Sequence, residues 1–390
     1  MPLYNPWNCF IVSKEMIKMR PFITKDFFHK YKHLSALAIL LLVIMLLIVV
    51  GWFFKPREYS ISGAIMGTTY HVKYITKRQN EAKQHNIAKL IYAALSDVDN
   101  KMSTYKPTSE LMRLNNWPVN KPFKMSTNLA KVIKASLYIS SLSDGFYDPT
   151  VGPLVNLWGF GPQSPNQQTP DFVAIKKGDK QPSIPEKQKI KQAMQEVGYQ
   201  FIDLNMRTLT VIKKRKLYID LSSIAKGFSV DQVASVLDHL NIHRYMVEVG
   251  GEIRVKGKRL DRKHWRVAIR SPQSNVDTPY KVIALKDRAM ATSGDYLNYY
   301  NADHTRYSHE INPKTGFPEK NNIASVTVIC SSTMSADAFS TMFMVLPREK
   351  GRDIAEENDI AVYIIYRDKN DKGAESFSVY ASPAFVQYLT

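Results

Sequence analysis

Twenty-one consecutive residues, Leu34 to Phe54, carry no charge and are almost all apolar. A helix of about 20 such residues matches the hydrocarbon thickness of a bilayer. A buried core helix rarely stays apolar on every side for that length. A cleaved signal peptide would have a shorter apolar stretch with small residues after it, whereas Gly51-Trp52-Phe53-Phe54-Lys55-Pro56 ends this one. Trp52 and the two Phe suit an interfacial belt. The run predicts an uncleaved transmembrane helix over 34–54, with the lipid bilayer as its partner. Six Lys/Arg precede it within 33 residues, and only Lys55 and Arg57 follow closely. That bias holds residues 1–33 in the cytoplasm and sends the body, 58–390, outward. In a bacterium the expectation is a single-pass protein of the inner (cytoplasmic) membrane with its body on the periplasmic face.

The remaining length suits one large domain or two ordinary ones. Net charge is +18, of which residues 1–57 hold eight basic and two acidic groups. The rest of the positive charge is spread through the body, and no nucleic-acid recognition motif accompanies it. No nucleic acid is therefore expected as a partner; anionic lipid or phosphate fits the charge as well. The two cysteines, Cys9 and Cys330, fall on opposite sides of the expected membrane. They form neither a disulfide nor a CxxC site on this reading, and Cys330 reads as a core thiol.

Beyond residue 57 the pattern is mixed. Tyr70–Thr76 reads as a strand. Ile87, Ile91, Leu95, Val98 and Met102 recur at helical spacing, as do Leu129, Val132, Ile133 and Leu137 after the cap candidates Ser126 and Thr127. Pro162–Pro185 reads as an exposed loop. Further strands are expected at Leu217–Leu221, Tyr245–Val249, Trp265–Ile269, Val282–Leu285, Ala324–Ile329, Val362–Tyr366 and Phe377–Ala381. Helices are expected at Ser229–Leu240 and Ala336–Leu346. The order predicts an α+β fold rather than regular βαβ alternation.

Five segments interrupt this pattern with small, polar and acidic residues. Met66-Gly67-Thr68-Thr69-Tyr70 heads a strand and reads equally as a plain glycine turn. Asp144–Leu154 packs two Gly and two Pro around Phe146, Tyr147 and Asp148, a loop that could connect elements or hold a flat heterocycle. Asp220–Asp231 reads as a strand, a small-residue turn and a helix start, where amides and Lys226 would favour phosphate; it lacks Walker A spacing. Glu248-Val249-Gly250-Gly251-Glu252 permits a bulge or a close backbone approach. The fifth, from Ala291 to Thr341, places Asp337 and Thr341 four apart on one helical face. That oxygen pair suits Mg²⁺, or else a helix-start charge and a hydroxyl bonded to its own backbone.

Eight motifs in order, MGTTYHV, MSTYKPTSELMRLN, GFYDPTVGPLVNLWGFG, DLSSIAKGFSVD, VEVGGEIRVKG, ATSGDYLNYY, HEINPKTG and SADAFSTMF, make the body resemble the ApbE-like flavin transferases, FAD:protein FMN transferases. The resemblance implies a T-fold-like α+β core after the transmembrane helix, FAD as substrate and a bound Mg²⁺. It implies metal ligands at Asp337, Thr341 and the carbonyl of Ser223. FAD contacts fall on Met66, Tyr105, Phe146, Tyr147, Asp148 and Lys226, with His309 and Ile311 near the flavin nucleotide. This chain departs from the family's usual residues at Phe146-Tyr147, Asn312 and Glu248.

The implied reaction is attack of a threonine or serine hydroxyl of an acceptor protein on the FMN-side phosphorus of FAD, with AMP leaving. Asp337 and His309 are the catalytic candidates, His309 as base or as binding residue. The implied acceptors are outward-facing flavoprotein subunits of membrane redox complexes. Two other outcomes are Mg-dependent hydrolysis of FAD and a non-catalytic anchored FAD-binding protein.

Overall fold

The computed structural model describes residues 36–47, 51, 55–162, 184–273, 278–296, 298–302, 305–369 and 375–389. The chain divides into two units, Met1–Lys55 and Pro56–Thr390. In the first, residues 36–47 are helical (α1) and exposed throughout. Among the described residues no helix is long and apolar enough to cross a membrane. The expected span lies partly outside them, as do Cys9 and most of the Pro162–Pro185 loop.

The second unit is built on one antiparallel sheet. Its strands are β1 (Arg57–Ile65), β2 (Thr68–Thr76), β6 (Tyr245–Val249), β7 (Glu252–Lys256), β10 (Ala289–Gly294), β13 (Ile323–Cys330), β14 (Ala361–Lys369) and β15 (Glu375–Ala381), in that spatial order. The lower numbers skipped here belong to small satellite sheets: β3 (Phe123–Lys124), β4 (Ile202–Asn205) and β5 (Thr210–Lys213) in one; β8 (Trp265–Arg270) with β9 (Pro279–Leu285); and β11 (Tyr299–Ala302) with β12 (Thr305–Ser308). The helices are α2 (Glu81–Met102), α3 (Glu110–Asn115), α4 (Thr127–Leu142), α5 (Gly152–Leu157), α6 (Lys187–Met194), α7 (Ser222–His239), α8 (Thr333–Val345), α9 (Arg348–Glu357) and α10 (Pro383–Val386). This bears out a mixed α and β fold.

Strand periodicity explains the layers. On β13 and β14, Val326, Val328, Val362, Ile364 and Tyr366 join α4, α7 and α8 in one core. The alternate residues Ile329, Ala361, Tyr363 and Ile365 join Trp265, Val267, Ile283 and Phe385 on the opposite face. A strand buried on both faces reads as a continuous apolar run, which is why these two were legible. At the other end, Val72, Tyr74, Tyr245 and Val247 pack against Ile87, Ile91 and Leu95 of α2 and Val230 and Val233 of α7. The caps match as well: Ser126 accepts from Leu129 N at 3.3 Å.

Two expected elements differ. Leu217–Leu221 is buried but forms no strand. Its ladder partner is a side chain: Asn115 donates to Ile219 O at 2.9 Å and accepts from Ile219 N at 2.8 Å. Asp220 N donates to Pro149 O at 2.7 Å. The following helix starts at Ser222, seven residues before Ser229, with Asp220 accepting from Ser222 N at 2.8 Å. The segment that looked like a turn is two turns of helix, made of small residues so that α8 can approach it.

Candidate active site

Gly227 sets the geometry. A Cβ there would lie 2.4 Å from Thr333 O and 2.7 Å from Asp337 Cβ, so only glycine lets α7 and α8 touch. Its amide donates to Asp337 Oδ2 at 2.8 Å. A regular helix would give that N–H to the carbonyl four residues back, which is Ser223. The Asp337 carboxylate thus bonds the residue one helical turn after Ser223. One turn on from Asp337 along α8, Thr341 Oγ1 lies 3.3 Å from Ser293 Oγ of β10, and Ser293 also meets Ser340 Oγ at 2.8 Å. Asp231 of α7 caps α8 from outside, accepting from Thr333 N and Met334 N at 3.0 Å each, and pairs with Arg254 at 2.5 Å.

Lys226 lies beside this contact. Its Nζ is 2.6 Å from Glu252 Oε1. The attraction of Glu252, Asp337 and Glu310 raises its pKa against the opposing effect of burial. Burial pushes all three carboxyls up, and Lys226 pulls each back. Three buried carboxyls thus surround one ammonium, and whichever of them ionises demands a cationic partner. The backbone tightens around the same lysine: Gly250 (φ 62°) and Gly251 (φ 105°) turn β6 into β7, and a Cβ on Gly250 would stand 3.3 Å from Lys226 Cδ and 3.0 Å from Thr68. Thr68 follows the Met66-Gly67 turn, where both residues have positive φ (54° and 70°), as a two-residue hairpin requires. Met66 thus reaches the core beside the site.

The other expected residues sort into two groups. Tyr147 is buried with its hydroxyl 2.9 Å from Ser223 Oγ; burial, opposed by hydrogen bonding, raises its pKa, with Asp337 and Asp220 adding to the rise. Tyr105 is pushed up to about 12 by burial and by Asp220. His309 Nδ1 is 3.2 Å from Asn298 O, and Nε2 is 3.4 Å from Glu310 Oε1. These join Ser223, Lys226, Asp337 and Thr341 as one electrostatically connected set. Three further residues adjoin this set in sequence and make contacts of their own. Asp148 accepts from Thr150 N and Thr150 Oγ1 in its own loop through Oδ1, and from Tyr199 N, 51 residues on, through Oδ2, at 2.6–2.9 Å. Ile311 is buried with Trp158, Tyr300 and Tyr307. Phe146 lies under the ammonium groups of Lys314 and Lys350, 4.5 and 5.1 Å from its centroid.

Sequence reasoning singled out Glu248 and passed over Glu252 and Glu310. Glu248 accepts from Gly251 N at 2.7 Å and so fastens the β6–β7 turn. Glu252 is the buried partner of the lysine. Strand alternation was the available signal for Glu252: on β7 it shares a face with Arg254, which pairs with Asp231 of α7, while Ile253 and Val255 face the other way into the core. Glu310 gave none, lying in a loop whose course depends on the β11–β12 hairpin. Among the described residues no three His, Cys, Asp or Glu form a metal cage. The oxygen set that could hold a hard cation is Asp337, Thr341 and the Ser223 carbonyl. Cys330 is a free, half-buried thiol pushed up to about 12 by burial.

A family model described as the ApbE family matches residues 66–364. The chain belongs to the ApbE family. Among its relatives, an FAD:protein FMN transferase of Haemophilus influenzae is 43% identical over 329 residues, covering 84% of this chain and 91% of the relative. The one from Vibrio cholerae is 41% identical over 337 residues, covering 86% and 94%. The solved flavin transferase ApbE from Vibrio cholerae has a TM-score of 0.73 at 39% identity and covers 86% of this chain and 100% of that one. Pseudomonas stutzeri flavinyl transferase ApbE, in its apo form, has a TM-score of 0.74 at 33% identity, covering 86% and 98%. The ApbE match begins at Met66 and so takes in the hairpin tip, the α7–α8 contact and the HEINPKTG loop.

Proposed function

We propose that this protein is an FAD:protein FMN transferase that moves FMN from FAD to a threonine or serine hydroxyl of an acceptor flavoprotein. The observation that carries the reading is the half-buried Lys226 amid the buried Glu252, Asp337 and Glu310 at the α7–α8 contact. Such a site suits a pyrophosphate brought in with a cation, and relatives above 40% identity bear that activity's name. Asp337, Thr341 and the Ser223 carbonyl would hold Mg²⁺. When bound, the ion would neutralise phosphate oxygens and charge developing on the leaving group.

This chain's residues supply the rest. Lys226 binds and orients the pyrophosphate. In the neutral His309 ring, Nδ1–H donates to Asn298 O, which leaves the lone pair on Nε2. That nitrogen takes the proton as the acceptor oxygen bonds to the FMN-side phosphorus and the P–O bond to AMP breaks. Glu310 then faces the protonated ring and stabilises it. AMP carries the bridging oxygen away. The core is inferred to be a T-fold variant, supported by the antiparallel sheet with α7 and α8 on one face. The anchor is inferred to span the bacterial inner membrane through 34–54, supported by an apolar helical stretch whose side chains are all exposed.

Incubation of the protein with FAD, Mg²⁺ and an acceptor subunit of a membrane redox complex tests the activity by intact mass of the acceptor. A gain equal to FMN with equimolar AMP is expected. AMP without labelled acceptor would make the protein an FAD pyrophosphatase, and intact FAD would make it a carrier.

A further inference from the structure

The β8–β9 ribbon has one face in the core, through Trp265, Val267, Ile269, Ile283 and Leu285. Its other face is exposed and carries Arg266, Arg270, Tyr280 and Val282. The loop that leads into it, residues 257–264, holds Lys258, Arg259, Arg262 and Lys263 against one acid, Asp261. At its tip Leu260 stands 47% exposed. The ion pairs of this region are Lys256–Asp238 and Arg259–Asp261. Among the described residues, the side-chain cations of Lys258, Arg262, Lys263 and Arg266 pair with no carboxylate, although Lys263 N donates to Asp261 Oδ1 at 3.1 Å.

The loop is held in one shape. Arg244 donates from Nε to Lys258 O at 2.8 Å and from Nη2 to Arg259 O at 2.5 Å. Arg259 N donates to Lys263 O at 2.9 Å and Arg262 N to Arg259 O at 3.0 Å. Arg262 takes φ 64° to close the turn, an uncommon conformation for a side chain of that size. A preordered loop loses little entropy on binding.

We propose that the 257–264 loop and the outer face of the β8–β9 ribbon dock on an anionic bilayer surface. A basic rim around an apolar tip matches the layers of such a surface, phosphates outermost and acyl chains beneath. Lys258, Arg262, Lys263 and Arg266 meet the headgroup phosphates, and Leu260 enters the interfacial layer. The inference goes beyond the transferase reading and uses none of its residues. On the anchor reading, only Lys55 and Pro56 separate Phe54 from the first strand, so lipid is the partner the chain itself brings to the body.

The test uses the full chain with Cys9→Ser and Cys330→Ala, carrying Leu260→Cys labelled with an environment-sensitive fluorophore. It is reconstituted in vesicles of phosphatidylcholine alone or mixed with phosphatidylglycerol. The expected result is a blue-shifted emission, quenched by lipid-borne quencher, in the anionic vesicles only. A label at Tyr138→Cys, exposed on α4, stays water-like. Reversing Lys258, Arg262 and Lys263 to Glu abolishes the shift, by about fivefold for each basic residue lost, while FMN transfer in detergent is unchanged. Water-like emission in both vesicles, an equal shift in both, or a shift that survives the triple reversal overturns the proposal. A shift that appears only when an acidic protein is added overturns it too and assigns the surface to a protein partner.

Discussion

Asp337 brings the one side-chain charge to the proposed Mg²⁺ ligands, and its Oδ2 also holds Gly227 N. Asp337→Asn keeps an acceptor and removes the charge. Transfer should fall by about 10²-fold or more, and the rise in melting temperature that Mg²⁺ gives the wild type should vanish. Thr341→Ala removes a neutral ligand and should cost about tenfold. Calorimetry with and without Mg²⁺ checks both, and a Mg²⁺ shift that persists in Asp337→Asn would place the metal elsewhere. His309→Ala should slow transfer by about 10²–10⁴-fold with FAD affinity kept; equal losses in both would make His309 a binding residue. The buried carboxyls also set a pH dependence. Glu252 is pushed up to about 8 by burial, opposed by Lys226 and reinforced by Asp337. A raised carboxyl keeps in the folded state a proton that the unfolded chain has released. Stability of the metal-free protein should therefore decline as pH rises from about 4.5 to about 8. Urea midpoints across that range should fall, and Glu252→Gln should flatten the decline.

The α7–α8 contact decides the site among elements. Gly227→Ala would press a methyl into Thr333 O and Asp337 Cβ, both less than 3 Å away. The helices must part, at about 1–3 kcal/mol. Transfer should fall further than the lost folded fraction explains, because Asp337 moves with α8. Wild-type activity at full stability would show that the contact has slack. Most elements were legible because their partners are generic apolar surface: α2 and α4 follow from helical periodicity, β13 and β14 from continuous apolar runs. Leu217–Leu221 was not, because its alternation is real but Asn115 replaces the neighbouring strand. The start of α7 was also hidden. Ser222, Ser223 and Gly227 have the composition of a turn, and only close packing against α8 makes a helix of them.

For the whole molecule, topology is the open expectation. Added protease should digest the body in intact spheroplasts, given residues 1–33 inside and 58–390 outside. A body protected until lysis would contradict the Lys/Arg bias.

The sequence by itself determined the α+β class, the apolar run, the family through eight ordered motifs, and the pairing of Asp337 with Thr341 on one helical face. Each follows from composition or from spacing within a single element. Only the tertiary structure decided which acidic groups surround Lys226. Glu252 and Glu310 lie 26 and 84 positions away in the chain, and nothing local marks them as its partners. It also decided the neighbours of Asp148, which accepts from Thr150 and Tyr199, and of Ile311, which packs with Trp158, Tyr300 and Tyr307. The physical reason is range. Backbone propensity and side-chain periodicity act over a few residues, whereas buried charges find partners through space, across whatever elements the core has brought together.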